Sequence, residues 1–170
     1  MTEPLNTSTA SFDALYRDCA RDLYAYVRTL LGDEASSEDV TALSFERAYR
    51  RRASFDERRG SSRAWLFGIA RNAALDELRR RSRTAPLIGE LSDELATAPE
   101  EEADLALRRS TVRTALAALG ARERELIALK FHGGLTNAEL AVVLDTSETN
   151  AGTRVHRAVT KLRKACHAPA

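Results

Sequence analysis

AWLFGIARNAALDELRRRSR (Ala64–Arg83) is a thick apolar run that passes into an arginine-rich end. On a helix Trp65, Ile69, Asn72 and Asp76 share one stripe, and Leu66, Ala70 and Ala73 broaden it into a face that must be buried. Arg71, Leu75 and Arg79 lie on another row, followed by Arg80, Arg81 and Arg83. Cations at a helix C-terminus complement its dipole, and Asp76 reaches Arg79 and Arg80 at helical spacing. Taken alone, this stretch is an amphipathic helix with a solvated basic end. The rest of the chain decides whether the arginines face a partner.

A net charge of +1 over 170 residues argues against a polyanion partner until the charges are placed. From Arg47 to Arg83 there are twelve arginines against four acids. From Thr84 to Leu105 there are seven acids and no base, and from Gly152 to Ala170 five bases and no acid. Segregation of this kind points to a polyanion-binding protein whose linker offsets the total. The length suits one domain or two small ones. Cys19 and Cys166, the two cysteines, have no neighbour at metal or redox spacing, so a reduced cytosolic setting is expected, with no metal and no cofactor. No apolar run is long enough to span a bilayer or serve as a signal peptide.

Working outward toward the N-terminus, residues 1–10 are Thr/Ser-rich and expected to be disordered. Ser11 can cap a helix carrying Phe12, Leu15, Tyr16, Cys19, Leu23, Tyr26, Val27 and Leu30, which Gly32 stops. Ser36 with Asp39 is expected to open the next helix, from about Ser37 to Arg52. Val40, Leu43, Phe45, Ala48 and Tyr49 spread over a wide arc there; part can pack in a bundle and part can dock on another protein. Ala53–Ser62 is a basic loop with one aromatic, Phe55. Stacking plus phosphate contact suits single-stranded nucleic acid; a phenylalanine folded back into the core is the competing reading.

Working toward the C-terminus, residues 84–104 hold Pro86, Pro99 and the acidic cluster Glu100–Glu102, which marks a linker. It separates a domain at 11–83 from one at 105–166, with a short tail at 167–170. Helices are expected from about Asp104 to Leu119 and from Arg122 to Phe131, stopped by Gly120 and by Gly133-Gly134. Thr136–Glu139 is a capping box opening a short helix, Ala138–Leu144. After a tight turn at Asp145-Thr146, Ser147 caps a longer helix to about Ala165. Ala151, Val155, Ala158, Val159 and Leu162 form its buried stripe, and Thr149, Gly152, Thr153, His156, Arg157 and Lys164 its outer face. A short helix, a brief turn and a second helix with a basic outer face make a helix-turn-helix, whose second helix enters the major groove.

Four segments in this order, FDALYRDCARDLYAYVRTLLGD (Phe12–Asp33), SSEDVTALSFERAYRR (Ser36–Arg51), Ala64–Arg83 and LTNAELAVVLDTSETNAGTRVHRAVTKLR (Leu135–Arg163), resemble bacterial sigma factors of the small extracytoplasmic-function (ECF) type. These keep only the second and fourth sigma domains, and the resemblance covers nearly everything from Ser11 to Ala165. It implies an all-α fold of two small helical domains, a helical bundle and a helix-turn-helix, on a flexible acidic linker. It also implies core RNA polymerase as partner, through the largest-subunit clamp helices and the flap, together with promoter DNA and an inhibitory anti-sigma protein. Asp39, Val40, Phe45, Arg47 and Arg50 match the polymerase-docking segment. Phe55, Arg58, Arg59, Arg63, Trp65, Arg71, Asn72, Arg79 and Arg80 match the segment that opens the −10 element and captures an unstacked base. Thr149, Asn150, Gly152, Thr153, Arg154, His156, Arg157 and Lys161 match the part that reads the −35 element as duplex. The chain departs from the usual pattern at Ala42 and Leu43, where Gln and Glu are common, and at Gly152, where a basic residue is usual.

No Gly-rich phosphate loop, paired-His metal motif or Cys/His cluster supports an enzyme, and His132, His156 and His167 are scattered. Two other classes remain open at this point. One is a stand-alone helix-turn-helix regulator acting without polymerase, and the other is a helical adaptor whose basic faces are merely solvated.

Overall fold

The computed structural model describes residues 9–84 and 103–167. Residues 1–8, most of the acidic linker and the end of the tail therefore lie outside the described residues, while Thr9 and Ala10, expected within the disordered segment, instead begin the first helix. The described residues form seven α-helices and two short 3-10 turns, with no strand. The first domain holds α1 (Thr9–Leu31), α2 (Glu34–Arg51) and α3 (Ser62–Thr84); the second holds α4 (Ala103–Ala117), α5 (Ala121–Phe131), α6 (Asn137–Val143) and α7 (Glu148–Cys166). The all-α, two-domain reading of the sequence holds.

In the first domain, α1, α2 and α3 pack pairwise. Leu15, Cys19, Leu23, Tyr26 and Val27 supply the buried face of α1, and Leu66, Phe67, Ala70, Ala73 and Ala74 that of α3. Gly32 takes the left-handed conformation that ends α1, with φ 81°. The following cap is Asp33, three residues before the expected Ser36: its carboxylate accepts the Ser36 N–H at 2.8 Å. Burial opposes ionisation of Asp33, but the Ser36 N–H and the Arg81 guanidinium outweigh it and lower its pKa. Arg81 also donates to the Leu31 carbonyl at 2.8 Å, so the end of α3 clamps the corner between α1 and α2.

The sequence arc on α2 resolves into a stripe of mostly small residues, Ser37, Val40, Ser44 and Ala48, with Phe45 beside it. Ser37 and Ser44 are fully buried because each hydroxyl returns a hydrogen bond to the carbonyl one turn back, Asp33 and Val40 respectively.

In the second domain, the Thr136 hydroxyl accepts the Glu139 N–H and the Glu139 carboxylate accepts the Thr136 N–H at 2.8 Å, which is the capping box the sequence predicts. Asp145, at φ 51°, makes the tight turn into α7, which Ser147 caps. Leu140, Ala151 and Val155 join α6 to α7, while Leu119, Ile127 and Ala158 close the side facing α4 and α5. The two domains touch, α5 lying on α1 and α6 on α3, and one apolar cluster runs through both.

Candidate nucleic-acid interface

The loop between α2 and α3 is built from two 3-10 turns, Arg52–Ser54 and Glu57–Arg59. The Asp56 carboxylate accepts the Arg58 N–H at 3.0 Å, and Gly60, at φ 143°, lets the chain leave the second turn. Phe55 points inward. It is 9 % exposed and its ring lies 5.3 Å from that of the half-buried Trp65. The expectation that Phe55 stacks on an unpaired base is corrected: burying the ring against Trp65 is the more favourable use of its area. Arg58 and Arg59 are exposed, and no carboxylate among the described residues lies in ion-pair range of their side chains. Beside the loop, a groove of about 500 Å³ is lined by Asp18 and Cys19 from α1 and by Phe55, Gly60, Ser61 and Arg63. Burial, the largest influence, pushes the Cys19 thiol pKa up despite the neighbouring Arg63.

Along α3 the basic residues divide. Asn72, Arg79 and Arg80 are exposed, Arg79 pairing with Asp76 at 3.1 Å and Arg80 with Glu77 at 2.8 Å. Hydrogen bonding by Arg80, and then by Arg81, pulls the Glu77 carboxyl down to about 2, although burial opposes it. The Arg79–Asp76 pair, exposed on both sides, is worth about 0–1 kcal/mol and exchanges readily for a phosphate.

Arg63 and Arg71 point the other way, into the second domain. Arg63 donates to Asp22 at 2.5 Å, to the His132 carbonyl at 3.3 Å and to the Gly133 carbonyl. Arg71 Nε donates to Glu125 Oε1 at 2.6 Å, the two side chains being 25 % and 11 % exposed. Breaking a pair buried to this extent by removing one partner costs about 3–5 kcal/mol in the closed arrangement. Burial, followed by the nearby Glu125 carboxylate, raises the Tyr26 hydroxyl pKa, with Arg71 opposing.

On α2, Asp39 and Arg50 are exposed and Arg47 is half-buried, while Arg50 pairs with Glu46 at 2.6 Å. Val40 and Phe45 are buried at 5 % and 7 % exposure. Their assignment as polymerase-facing residues is therefore corrected: they seat α2 against α1, Phe45 packing with Phe12 and Tyr16. The aromatics left on that surface are Tyr16 and Tyr49, with Arg52 3.9 Å above the Tyr49 ring.

On α7, Thr149, Asn150, Thr153, His156, Arg157 and Lys161 are exposed and Arg154 is half-buried. The Thr153 hydroxyl donates to the Thr149 carbonyl at 2.9 Å, and Asn150 donates to the Thr146 hydroxyl at 2.6 Å. Lys161 pairs with Glu123 at 2.8 Å, whereas Arg154 and Arg157 have no ion pair among the described residues. His156, Arg157, Lys161 and Lys164 line one shallow basic groove. Gly152 stands apart from this set. A Cβ there would meet the Asn137 amide nitrogen at 3.1 Å, so the residue lies where α7 crosses α6 and its small size serves that crossing. That corrects the expectation that it belongs to the base-reading face.

Sequence reasoning missed the groups that hold Arg63 and Arg71, namely Asp22, Glu125 and the turn at 132–133. One signal was available: Glu125 lies directly against a run whose next four residues, Leu126 to Leu129, are all buried. An acid on such a face needs a cation.

Residues 15–84 match the family model of Sigma-70 region 2, and residues 109–162 that of Sigma-70 region 4. The ECF RNA polymerase sigma factor SigL of Mycobacterium tuberculosis is 35 % identical over 154 residues, covering 88 % of this chain and 85 % of its own. The chain belongs to the ECF sigma factor family. Another relative of this sigma factor is BldN of Streptomyces coelicolor, 32 % identical over 157 residues and covering 91 % of this chain and 60 % of its own. Among solved structures, CnrH in complex with the cytosolic domain of CnrY has a TM-score of 0.68 at 26 % identity, covering 99 % of this sigma factor and 95 % of CnrH. RpoE of Bartonella quintana, solved with the anti-sigma factor NepR, has a TM-score of 0.79 at 23 % identity, covering 95 % and 100 %, and shows the shared fold. No helix among the described residues of the sigma factor is long and apolar enough to cross a membrane.

Proposed function

We propose that this sigma factor binds core RNA polymerase and directs it to specific promoters, reading the −35 element as duplex and the −10 element as a melted strand. One observation carries the division of labour: the two domains present basic surfaces of different shape. The outer face of α7 is a straight helical row, Thr149, Thr153, His156 and Arg157 flanked by Arg154 and Lys161, which fits a major groove. The first domain offers an irregular loop with Arg58 and Arg59 beside a groove, followed by Asn72, Arg79 and Arg80 on α3. An irregular basic loop at a groove suits a base taken out of the stack, with the arginines on the backbone.

The surface of α2 bearing Asp39, Arg47 and Arg50, next to the exposed Tyr16 and Tyr49, is the docking face for the clamp helices of polymerase, and the second domain meets the flap. The protein acts in the cytoplasm and has no catalytic chemistry of its own; it spends binding energy on the melted promoter. A stand-alone regulator has no use for the basic loop and the arginine end of α3. An anti-sigma protein is a further partner by family resemblance; among the structural neighbours, RpoE was solved with the anti-sigma factor NepR and CnrH with the cytosolic domain of CnrY.

Run-off transcription with purified core polymerase on a promoter library tests the reading. Promoter-specific transcripts that require this chain are expected. Promoter-length DNA bound with unchanged affinity and footprint in the absence of core, and no transcripts in its presence, would establish the stand-alone regulator instead.

A further inference from the structure

The pattern Arg-Arg-x-Ser occurs three times in the first domain, at Arg51–Ser54, Arg58–Ser61 and Arg79–Ser82. Protein kinases that select basic substrates read this pattern: an acidic groove takes the two guanidiniums while the backbone around the serine lies extended. The three copies are equal as sequence, and the structure separates them. In the first, Arg52 is engaged, lying 3.9 Å over the Tyr49 ring and donating to the Tyr49 carbonyl at 2.7 Å. Phe55, which follows Ser54, is buried against Trp65, so extending the chain there would expose its ring. The third copy lies inside α3, where Arg79 and Arg80 pair with Asp76 and Glu77 and the Ser82 hydroxyl donates to the Arg79 carbonyl at 3.1 Å. The second copy is open. Arg58, Arg59 and Ser61 are all exposed, and neither arginine has an ion pair among the described residues. Its backbone is one 3-10 turn, closed by the Gly60 N–H on the Glu57 carbonyl at 3.3 Å, and the space around Gly60 is empty. A turn held this lightly extends at little cost. The Ser61 hydroxyl itself donates to Glu139 at the surface and accepts the Ala64 N–H at 3.1 Å.

We infer that Ser61 is a phosphorylation site for a serine kinase that selects arginines ahead of its acceptor, and that the phosphate turns the −10 site off. The inference rests on the proposed role of Arg58 and Arg59 in holding the −10 strand. The step forms a bond between Ser61 Oγ and the γ-phosphorus of ATP and breaks that phosphorus from the β–γ bridging oxygen; the hydroxyl proton is lost and ADP leaves. Asp56 to Arg63 holds three arginines against two acids, a net charge of +1, and a phosphate of about −1.5 to −2 reverses its sign. The new phosphate stands two and three residues from Arg59 and Arg58, where it competes with the strand's phosphates for both guanidiniums. Its oxygens can still accept the Ala64 N–H, and negative charge is favourable at the start of a helix, so α3 stays folded.

The test treats the full chain with ATP and the catalytic subunit of cyclic-AMP-dependent protein kinase, a probe selective for Arg-Arg-x-Ser, and locates the phosphate by mass spectrometry. Ser61 should be modified about tenfold or more faster than Ser54 or Ser82. The modified chain should bind a fluorescent single-stranded −10 oligonucleotide about tenfold or more weakly than the unmodified chain. The slope of log affinity against log salt should shrink by about 1.4, two lost phosphate contacts at about 0.7 each. Binding of −35 duplex through α7 should be unchanged, which a chain unfolded by the modification would not show. Preferential modification of Ser54 or Ser82, or none of the three, overturns the site. Arg58→Ala combined with Arg59→Ala separates the switch from the reading beneath it. If that variant loses oligonucleotide binding while phosphorylated Ser61 does not, the switch is overturned and the −10 role of the loop stands. If neither weakens binding, the −10 role of the two arginines is overturned, and the switch with it.

Discussion

Phe45→Ala separates core packing from polymerase contact on α2. The ring is 7 % exposed and lies at 6.4 Å and 89° from Phe12 and at 4.7 Å and 57° from Tyr16. Phe→Ala in a core costs about 3–5 kcal/mol. Tyr16 is 53 % exposed, so the site is at the rim of the bundle and can partly close over the loss. That favours the lower end, about 3 kcal/mol. For a chain of this size each kcal/mol moves Tm by about 2–4 °C, so the melting temperature should fall by about 6–12 °C. Thermal unfolding followed by circular dichroism measures the drop, and co-purification with core polymerase at low temperature measures docking. The variant should melt early yet retain docking where it is still folded. A variant that melts with wild type but no longer co-purifies would show that the Phe45 side chain contacts polymerase directly and would refute the burial argument. Arg47→Glu, at a half-buried position with no ion pair among the described residues, should do the opposite, losing polymerase with a stability change within about 0.5 kcal/mol.

Arg157→Ala should cost about 1–3 kcal/mol of −35 duplex binding and relax base preference at one position, read by gel shift on a substituted site series. Replacing Arg58 and Arg59 with Ala, which leaves the buried Phe55 in place, should abolish promoter opening seen as permanganate-reactive thymines while duplex −35 binding persists. Gly152→Ala removes a mid-helix glycine worth up to about 1 kcal/mol but must displace the Asn137 amide, so its melting temperature should stay close to wild type. Burial raises the pKa of Glu139, but hydrogen bonds from Ser61 and Thr136 outweigh it and hold it below its ordinary 4.5. Its stabilising contribution is therefore present above pH 4.5 and is lost as pH falls through the lowered value. The Ser61 contact to Glu139 and the cap of α6 should both weaken in acid, measured as a lower melting temperature and a loss of helix content.

The helices, the helix-turn-helix with its Thr136–Glu139 box and Ser147 cap, and the segregation of charge were legible in the sequence because each is a local property. Helical period, capping chemistry and composition act within a few residues, and the resemblance to ECF sigma factors rests on such local patterns. Which side of an element faces a neighbour was not legible wherever both sides are plausible. Phe45 and Val40 on the wide arc of α2 could have met polymerase or α1, and Phe55 could have met a base or Trp65. Area buried against an available neighbour decided each case, and that neighbour is known only once the helices are packed. The arginines show the same limit most clearly. Arg58, Arg59, Arg63 and Arg71 are alike as residues. The first two remain in solvent, while packing α5 and α6 against α1 and α3 places Glu125 and the carbonyls of His132 and Gly133 within hydrogen-bond reach of the other two. A guanidinium takes whichever anion or carbonyl the tertiary structure brings to it, and those groups lie more than fifty residues away along the chain.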